Sequence, residues 1–433
     1  MSQPEADSSE KTGTKAGIAD SQAYADSANL NESGETTYKH HLKLILLVLF
    51  VDLLGFSLVV PLLPRYADIS GFTATQIGLL MSAYPFCQLF SAPILGRLSD
   101  RVGRKPVLIA SQMGTTISFI ILAITQRFEL MLFARMLDGA SGGNILVAQA
   151  YIADVTPPKD RARSFGLIGM AFGFGFILGP TLGGILTGID LGENAVRLPF
   201  IAAAIFSACA WMIVWKNLPE SRNADQKSVS EARVIGRTGV RAVIGDPRIR
   251  LLVLSSAFLV LGWSSLEATI SLFLKRRMGY SPTQASMAFA FLGLVGALGQ
   301  GLLIRRMVSR YGEKKLVVWG ISMLIAGFLM LSQVKWSVAL FPVLVVAGLG
   351  QGMATPSLTG LISRTCDPQI QGAVFGTLSS AQTFSRMTNY YFSNQLMGYF
   401  DESAPFLSGA MILSVGLMIA IRAIRILNSY EVS

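Results

Sequence analysis

About twenty apolar residues in a row suffice to cross the ~30 Å hydrocarbon core of a bilayer as a helix. This chain has such runs in succession, at about 43–63, 75–96, 106–125, 129–152, 163–187, 198–217, 250–273, 284–304, 315–333, 335–362, 371–398 and 404–427. A backbone in lipid must satisfy its own hydrogen bonds, so each run is expected to be a helix. The expected fold is therefore an all-α membrane protein of twelve transmembrane helices. Only 14% of the 433 residues are charged. Soluble domains carry about 25%, so a water-soluble globule of this length is excluded.

Charge then orients the spans. The first 38 residues hold seven acids against Lys11 and Lys15 and little apolar material, so a disordered tail is expected there. They lack the apolar stretch of a secretory signal and the arginines of a transit peptide. With both termini cytoplasmic, the connections on that side and the chain ends hold 25 Lys and Arg. The opposite side holds 7, three of them the cluster Lys275, Arg276 and Arg277. Lysine and arginine gather on the cytoplasmic side of membrane proteins. The net charge of +10 is thus explained by orientation in a lipid bilayer, and nucleic acid is not required. The expected location is the inner (cytoplasmic) membrane, with the chain a monomer.

Other chemistry is absent. Cys87, Cys209 and Cys366 fall in or beside apolar runs without ligand spacing, and His40 and His41 are the only histidines. No metal or cofactor is expected. Neither a nucleophile–base pair nor a phosphate-binding loop is present, so the chain is not read as an enzyme.

The polar segment 218–249 splits the runs into six plus six. Gly96-Arg-Leu-Ser-Asp100-Arg-Val-Gly103-Arg104-Lys105 aligns with Arg305-Arg-Met-Val-Ser309-Arg-Tyr-Gly312-Glu313-Lys314 at an offset of 209. Pro158 with Phe165-Gly166 aligns with Pro368 with Phe375-Gly376 at 210. Agreement between two loops points to a parallel repeat: bundles 39–217 and 250–433, joined by a cytoplasmic linker. Parallel six-helix halves are an architecture of transporters that bind substrate near the midplane.

The 96–105 loop resembles the signature loop of the major facilitator superfamily. Asp52-Leu-Leu-Gly55 through Pro61-Leu-Leu-Pro64 resembles the first-helix motif of its twelve-span drug–proton antiporters. Arg135-Met-Leu-Asp138-Gly139 is similar to their fourth-helix Arg motif, and Gly175-Phe-Ile-Leu-Gly179-Pro180-Thr-Leu-Gly183-Gly184 to their fifth-helix motif. Ala150 to Thr156, followed by Asp160 to Gly166, is most similar to tetracycline–proton antiporters. The resemblance implies two pseudo-symmetric bundles that rock about a central cavity. It also implies gating by Gly96, Asp100, Arg101, Gly103 and Arg104, with Asp100 latching the halves on the cytoplasmic side. Ser309 stands where a second Asp would be, so the second half is expected to lack an equal latch. Gly179 and Pro180 are expected to let the fifth helix bend or slide between the halves, or simply to permit close packing.

An ionised group at the bilayer centre costs ~2.5–3.5 kcal/mol on the insertion scale, so each should face a cavity or a partner. Five lie within spans: Asp52, Arg135, Asp138, Glu267 and Arg386. Asp52 is expected to bind the coupling proton, or to hold a turn of the first helix. The resemblance makes Arg135 its counter-charge. A structural pair of Arg135 with Asp138, three residues apart, is the alternative. Asp138 is read as a second proton site or a static partner. Gln149, eleven residues on from Asp138, should return to the same face. Glu267 can meet a cationic drug or a proton, or be solvated near the outer end of its helix. Ser379, Gln382, Arg386, Asn389 and Ser393 form a polar stripe that must face protein or water, with Arg386 expected to organise its own helix rather than to touch substrate, unless the substrate is an anion. Tyr84, Gln88, Trp263 and Gln351 complete the expected cavity. Spans 106–125 and 315–333 hold no acid, unlike those of tetracycline antiporters, which counts against a metal–tetracycline chelate as substrate.

The expected function is proton-coupled export of small amphipathic molecules or drugs by alternating access. An importer or facilitator of a sugar or organic acid is the alternative within transport. A non-transporting receptor is the alternative outside it, and it has no need of five charges in the membrane.

Overall fold

The computed structural model describes residues 38–157, 160–189, 195, 197–221, 240–367 and 370–432. The expected disordered tail, most of the linker, and Pro158 and Pro368 of the repeat lie outside the described residues. Tyr38 and Pro247 were expected in the tail and linker; both lie in helices. Among the described residues the structure is helical, without strands.

We number the helices α1 (38–59, resuming as Leu63–Ile69), α2 (Ala74–Val102), α3 (Arg104–Ile124), α4 (Phe128–Ser141 and Asn144–Val155), α5 (Arg161–Thr187), α6 (Leu198–Asn217), α7 (Pro247–Met278), α8 (Pro282–Leu298, a π turn Gly299–Leu303, then Ile304–Tyr311), α9 (Glu313–Gln333), α10 (Ser337–Thr365), α11 (Gln371–Tyr399) and α12 (Ala404–Val432). Ten are long and apolar enough to cross a membrane. The other two are α4 and α11. The 29 residues of α11 suffice in length, but the polar stripe lowers its hydropathy. The expected continuous span at 129–152 is instead broken at Gly142–Gly143 into pieces of 14 and 12 residues. Glycine is the costliest residue after proline in a helix interior.

Local chemistry sets the ends of these helices. Thr73 with Gln76 and Ser281 with Gln284 form capping boxes at the starts of α2 and α8, at matching places in the two halves. Asp246 caps α7 by accepting from Arg248 N at 2.8 Å. Gly279 ends that helix in the left-handed conformation, φ 67°.

The first six helices meet the last six along two seams, α2 on α11 and α5 on α8. Each seam descends from the end of the molecule that carries Asp68. On the first, Thr75 Oγ1 accepts from Gln395 Nε2 at 3.0 Å, and Ser82 Oγ donates to Met387 O at 2.8 Å. Between them, a Cβ on Gly78 would lie 3.1 Å from Tyr391 O. On the second, Thr187 and Thr283 hydroxyls are 3.3 Å apart, and a Cβ on Gly293 would lie 2.7 Å from Phe176 O. Ion pairs reinforce this end: Lys275 Nζ lies 2.5 Å and Arg276 Nη2 3.9 Å from the Asp68 carboxylate. In the basic cluster that breaks the orientation rule, Lys275 and Arg276 are therefore bonded across the two halves, and Arg277 pairs with Glu402 within the second. Toward the end that carries Asp100, several glycines of α5, α8 and α11 face open space. Gly166 and Gly169 on α5, Gly301 on α8, and Gly372 and Gly376 on α11 have nothing within 4 Å of an added Cβ. The molecule is closed at its Asp68 end and cleft at its Asp100 end. The larger apolar core runs across the closed end (Leu63, Tyr66, Leu266, Phe273), while a smaller one (Ile45, Leu108, Tyr151, Val214) binds the first six helices at the cleft end.

A partly exposed ion pair contributes roughly 0.2–1 kcal/mol, enough to shift a two-state balance several-fold. Asp68→Lys is expected to widen the distance between spin labels at Ile69 and Phe400. Adding Lys275→Asp should restore it. An unchanged distance in the single variant would show that the bridge does not hold the seam.

Candidate membrane site

Asp52 on α1 is 9% exposed. Its Oδ2 accepts a 2.5 Å hydrogen bond from Asn144 Nδ2. Asn144 is the first residue of the second half of α4, and its Oδ1 accepts from Ile145 N at 2.8 Å. The carboxylate thus faces the start of a half-helix inside the membrane, where unsatisfied N–H groups favour an anion. Gln112 of α3 and Asp138 of α4 are also within its electrostatic reach. No ion pair reaches Asp52 among the described residues. The expected counter-charge is engaged elsewhere: Arg135 Nη1 bonds Asp138 Oδ2 at 2.8 Å, with both side chains 4% exposed. Its guanidinium also lies 4.9 Å from the centre of the Tyr84 ring. The pairing of neighbours three apart wins because a buried cation needs a close partner, and breaking such a pair costs about 3–5 kcal/mol.

The break in α4 makes this geometry possible, and α2 holds the break. Ser91 Oγ donates to Gly139 O at 2.8 Å, and Gln88 Nε2 donates to Gly142 O at 3.0 Å and to Tyr84 Oη at 3.1 Å. Of the two residues expected in the cavity, Gln88 donates to a carbonyl at the break and Tyr84 accepts from Gln88. The register count that placed Gln149 on the face of Asp138 does not carry through the break. Gln149 is half-buried, and its side chain makes no hydrogen bond among the described residues.

A second cluster lies on α7 and α11. Glu267 is 9% exposed, so it is not solvated at an outer end. Its Oε1 accepts from Trp263 Nε1 at 2.9 Å, and its Oε2 from Tyr390 Oη at 2.8 Å and Arg386 Nε at 3.3 Å. The polar stripe of α11 faces α7. Gln382 Nε2 donates to Ser256 Oγ at 2.9 Å, and Asn389 Nδ2 to Leu261 O at 2.6 Å and Ser265 Oγ at 2.8 Å. Arg386 therefore ties α11 to α7 and does not organise α11 alone. On α10, Gln351 Oε1 and Thr355 Oγ1, one turn apart, are buried without a partner among the described residues.

Among the described residues the signature loop bonds to the first six helices and to Glu220 just beyond them. Arg104 is 8% exposed. It reaches Asp100 at 2.7 Å, Asp154 at 2.9 Å and Ser99 at 2.7 Å. Glu220 accepts from the backbone N–H groups of Arg104 and Lys105 at 2.8 and 3.0 Å, completing the start of α3. Gly103 has φ 105°, and a Cβ there would meet the Glu220 carboxylate at 2.5 Å. Gly96 lies against Leu146, and Arg101 is exposed. At the repeat offset, Glu313 Oε1 and Arg364 Nη2 are 3.2 Å apart. The second half thus keeps the bridge of Arg104 with Asp154 with its charges exchanged. The glycines Gly175, Gly179 and Gly183 pack on α1, within the first six helices. A Cβ on Gly179 would lie 2.0 Å from Ser57 Oγ, and Pro180 is buried beside it. The seam with α8 uses Gly184 and Thr187 instead.

Reasoning from sequence missed Asn144, Ser91, Glu220 and Asp68. The turn-forming run Gly142-Gly143-Asn144 was the available signal for the first. Close packing gives a test of the α2 brace. A Cβ on Gly139 would lie 2.2 Å from Tyr84 O, against backbone that cannot yield. Gly139→Ala is expected to lower unfolding stability in detergent by about 1–3 kcal/mol. Gly169→Ala, which meets nothing, should be neutral or gain up to ~1 kcal/mol. Equal effects would remove the assignment of α2 as brace.

Comparison with known proteins bears on the family and the fold. The chain is 31% identical over 341 residues to the class C tetracycline resistance protein of Escherichia coli, covering 78% of this chain and 85% of the relative. It is 27% identical to multidrug resistance protein 1 of Bacillus subtilis over 384 residues, covering 88% and 95%. The crystal structure of the nucleoside transporter NupG superposes with a TM-score of 0.73 at 15% identity, covering 89% of this chain and 99% of that one. The profile described as Major Facilitator Superfamily matches residues 45–388. This multi-pass membrane protein belongs to the Major Facilitator Superfamily.

Proposed function

We propose that the chain is a proton-coupled exporter of small amphipathic organic molecules. It works as a monomer in the cytoplasmic membrane, with both termini in the cytoplasm. Bundles 39–217 and 250–433, joined by the linker 218–249, rock about the cleft. The lysine and arginine distribution assigns the Asp100 end to the cytoplasm. The form described here is then open to the cytoplasm and sealed outside by the two seams and the Asp68 bridge. The names of its relatives, tetracycline resistance protein and multidrug resistance protein, support export of drug-like compounds.

One observation carries the coupling. Among the described residues Asp52 is buried without a counter-ion, while the other acids of the site, Asp138 and Glu267, each have a cation. Gaining a proton changes the net charge of Asp52's surroundings from −1 to zero. Arg135 with Asp138 is a standing pair, and Asp52 is the group free to titrate. Its ionised form is held by Asn144 and the start of the half-helix. Its neutral form keeps only a weaker, uncharged acceptor for Asn144, so α1 and α4 are held less tightly. Proton and substrate must favour different states of the cleft, since only differential affinity moves the balance. One proton per molecule is worth about 1.4 kcal/mol for each unit of pH difference, a tenfold accumulation.

Asp68 with Lys275 serves as the outer gate in this scheme, and Asp100 with Arg101 and Arg104 as the cytoplasmic one. Gly96, Gly103, Gly179 and Pro180 permit the close helix approaches on which both states depend. In proteoliposomes with an imposed pH gradient, a panel of amphipathic fluorescent compounds should accumulate against concentration. Asp52→Asn is expected to cut gradient-driven accumulation to roughly a tenth or less while exchange without a gradient continues. Asn144→Ala should shift the pH dependence and leave transport measurable. Accumulation that ignores the gradient, or that survives Asp52→Asn, would falsify the coupling.

A further inference from the structure

We infer that the cleft accepts amphipathic organic anions, and that Arg386 is the group that binds their carboxylate or similar oxyanion. This rests on the reading of the cleft as a transport site and names its substrate class.

Arg386 stands at the middle of α11, sixteenth of its 29 residues. Its side chain is nonetheless 43% exposed. A guanidinium at that depth cannot face hydrocarbon at acceptable cost. Its neighbours show what it faces. Met387, the next residue, accepts the hydrogen bond from Ser82 that forms the lowest polar link of the α2–α11 seam. Four residues beyond Ser82 toward the cleft, Phe86 is exposed. Arg386 is close enough to Tyr84 of α2 to act on it electrostatically. The guanidinium therefore sits where the closed seam gives way to the open cleft.

Its bonding leaves capacity unused. Among the described residues its one hydrogen bond runs from Nε to Glu267 Oε2, at 3.3 Å. The terminal nitrogens make none. Glu267 does not depend on that bond, because Trp263 and Tyr390 donate to its two oxygens at 2.9 and 2.8 Å. An incoming anion can thus share Arg386 without leaving a buried carboxylate unsatisfied. The planar fork of arginine matches a carboxylate in two parallel hydrogen bonds, which an ammonium cannot copy. An aromatic body has surfaces nearby in Tyr84 and Phe56, whose rings are 5.4 Å apart, and in Phe176 beyond them. The other cation of the site, Arg135, bonds Asp138 through Nη1 and is 4% exposed, so it is not offered to the cleft. The acids of the first half, Asp52 and Asp138, are buried behind the cleft surface. Of the five charged groups within the spans, Arg386 is the exposed one.

The test is equilibrium binding to the purified full chain in detergent at one pH, with three probes that share an aromatic body. These are 2-naphthoate, its methyl ester and 2-naphthylmethylammonium, followed by calorimetry. Naphthoate is expected to bind at least tenfold more tightly than the ester, and the ammonium most weakly. Arg386→Gln should weaken naphthoate about tenfold or more and the ester less than twofold. Arg386→Lys should fall between, and Glu267→Gln should tighten naphthoate. Thermal unfolding of each variant checks that it is folded. The inference is overturned if Arg386→Gln weakens acid and ester alike, which marks a purely structural pair. It is equally overturned if the ammonium binds best or if naphthoate fails to bind at millimolar concentration. No gradient is involved, so a protein without proton coupling would still show the acid preference. A gradient-driven exporter that prefers the ammonium would keep its coupling and lose this assignment.

Discussion

Backbone carbonyls inside hydrocarbon must find donors, and the break in α4 meets that demand with side chains from α2. Ser91 and Gln88 donate to the carbonyls of Gly139 and Gly142, and the Gly142 N–H also reaches Gly139 O at 3.1 Å, which lowers the cost of the break. Without the break, Asn144 would sit within a continuous helix, and the half-helix start facing Asp52 would not exist. The acid at the centre of the proposed mechanism thus depends on two hydrogen bonds between neutral groups on other helices. The absence of a Cβ at Gly139 brings those helices close enough to form them.

Much of the architecture is legible from period and charge. Apolar runs of about twenty residues locate ten spans directly, because lipid imposes both length and composition. The two exceptions are informative. In α11 the Gln382, Arg386 and Asn389 stripe is visible in sequence, but its direction is not. Only packing shows that it faces α7. In α4 the turn signal Gly142-Gly143-Asn144 is present, yet it is short beside the apolar residues on either side and does not interrupt the hydropathy.

The charges show where sequence reasoning runs out. Asp52, Arg135 and Asp138 are identifiable one by one, since each is costly in a membrane. Which of them pair is a question of distance in three dimensions. The answer joins neighbours three apart on α4 and leaves Asp52 to an asparagine. Asn144 carries no formal charge and draws no attention in a scan for ionisable groups. Glu220 escapes for a different reason: it lies in a polar segment without periodicity, and its role comes from the backbone N–H groups of α3. The α5 glycines were legible as close packing, but their partner was not. They serve α1, and neighbouring positions on the same helix serve the seam.

The paired loops of the two halves carry one further consequence. Arg104 with Asp154 and Glu313 with Arg364 occupy matching places with opposite polarity. Matching places in a duplicated fold thus ask for a neutral couple and are indifferent to which member is the cation. Residue identity at any single position of this repeat is a poor guide to its twin. The unit of inheritance is the couple, and a sequence comparison made column by column will score as divergence what the fold treats as equivalence.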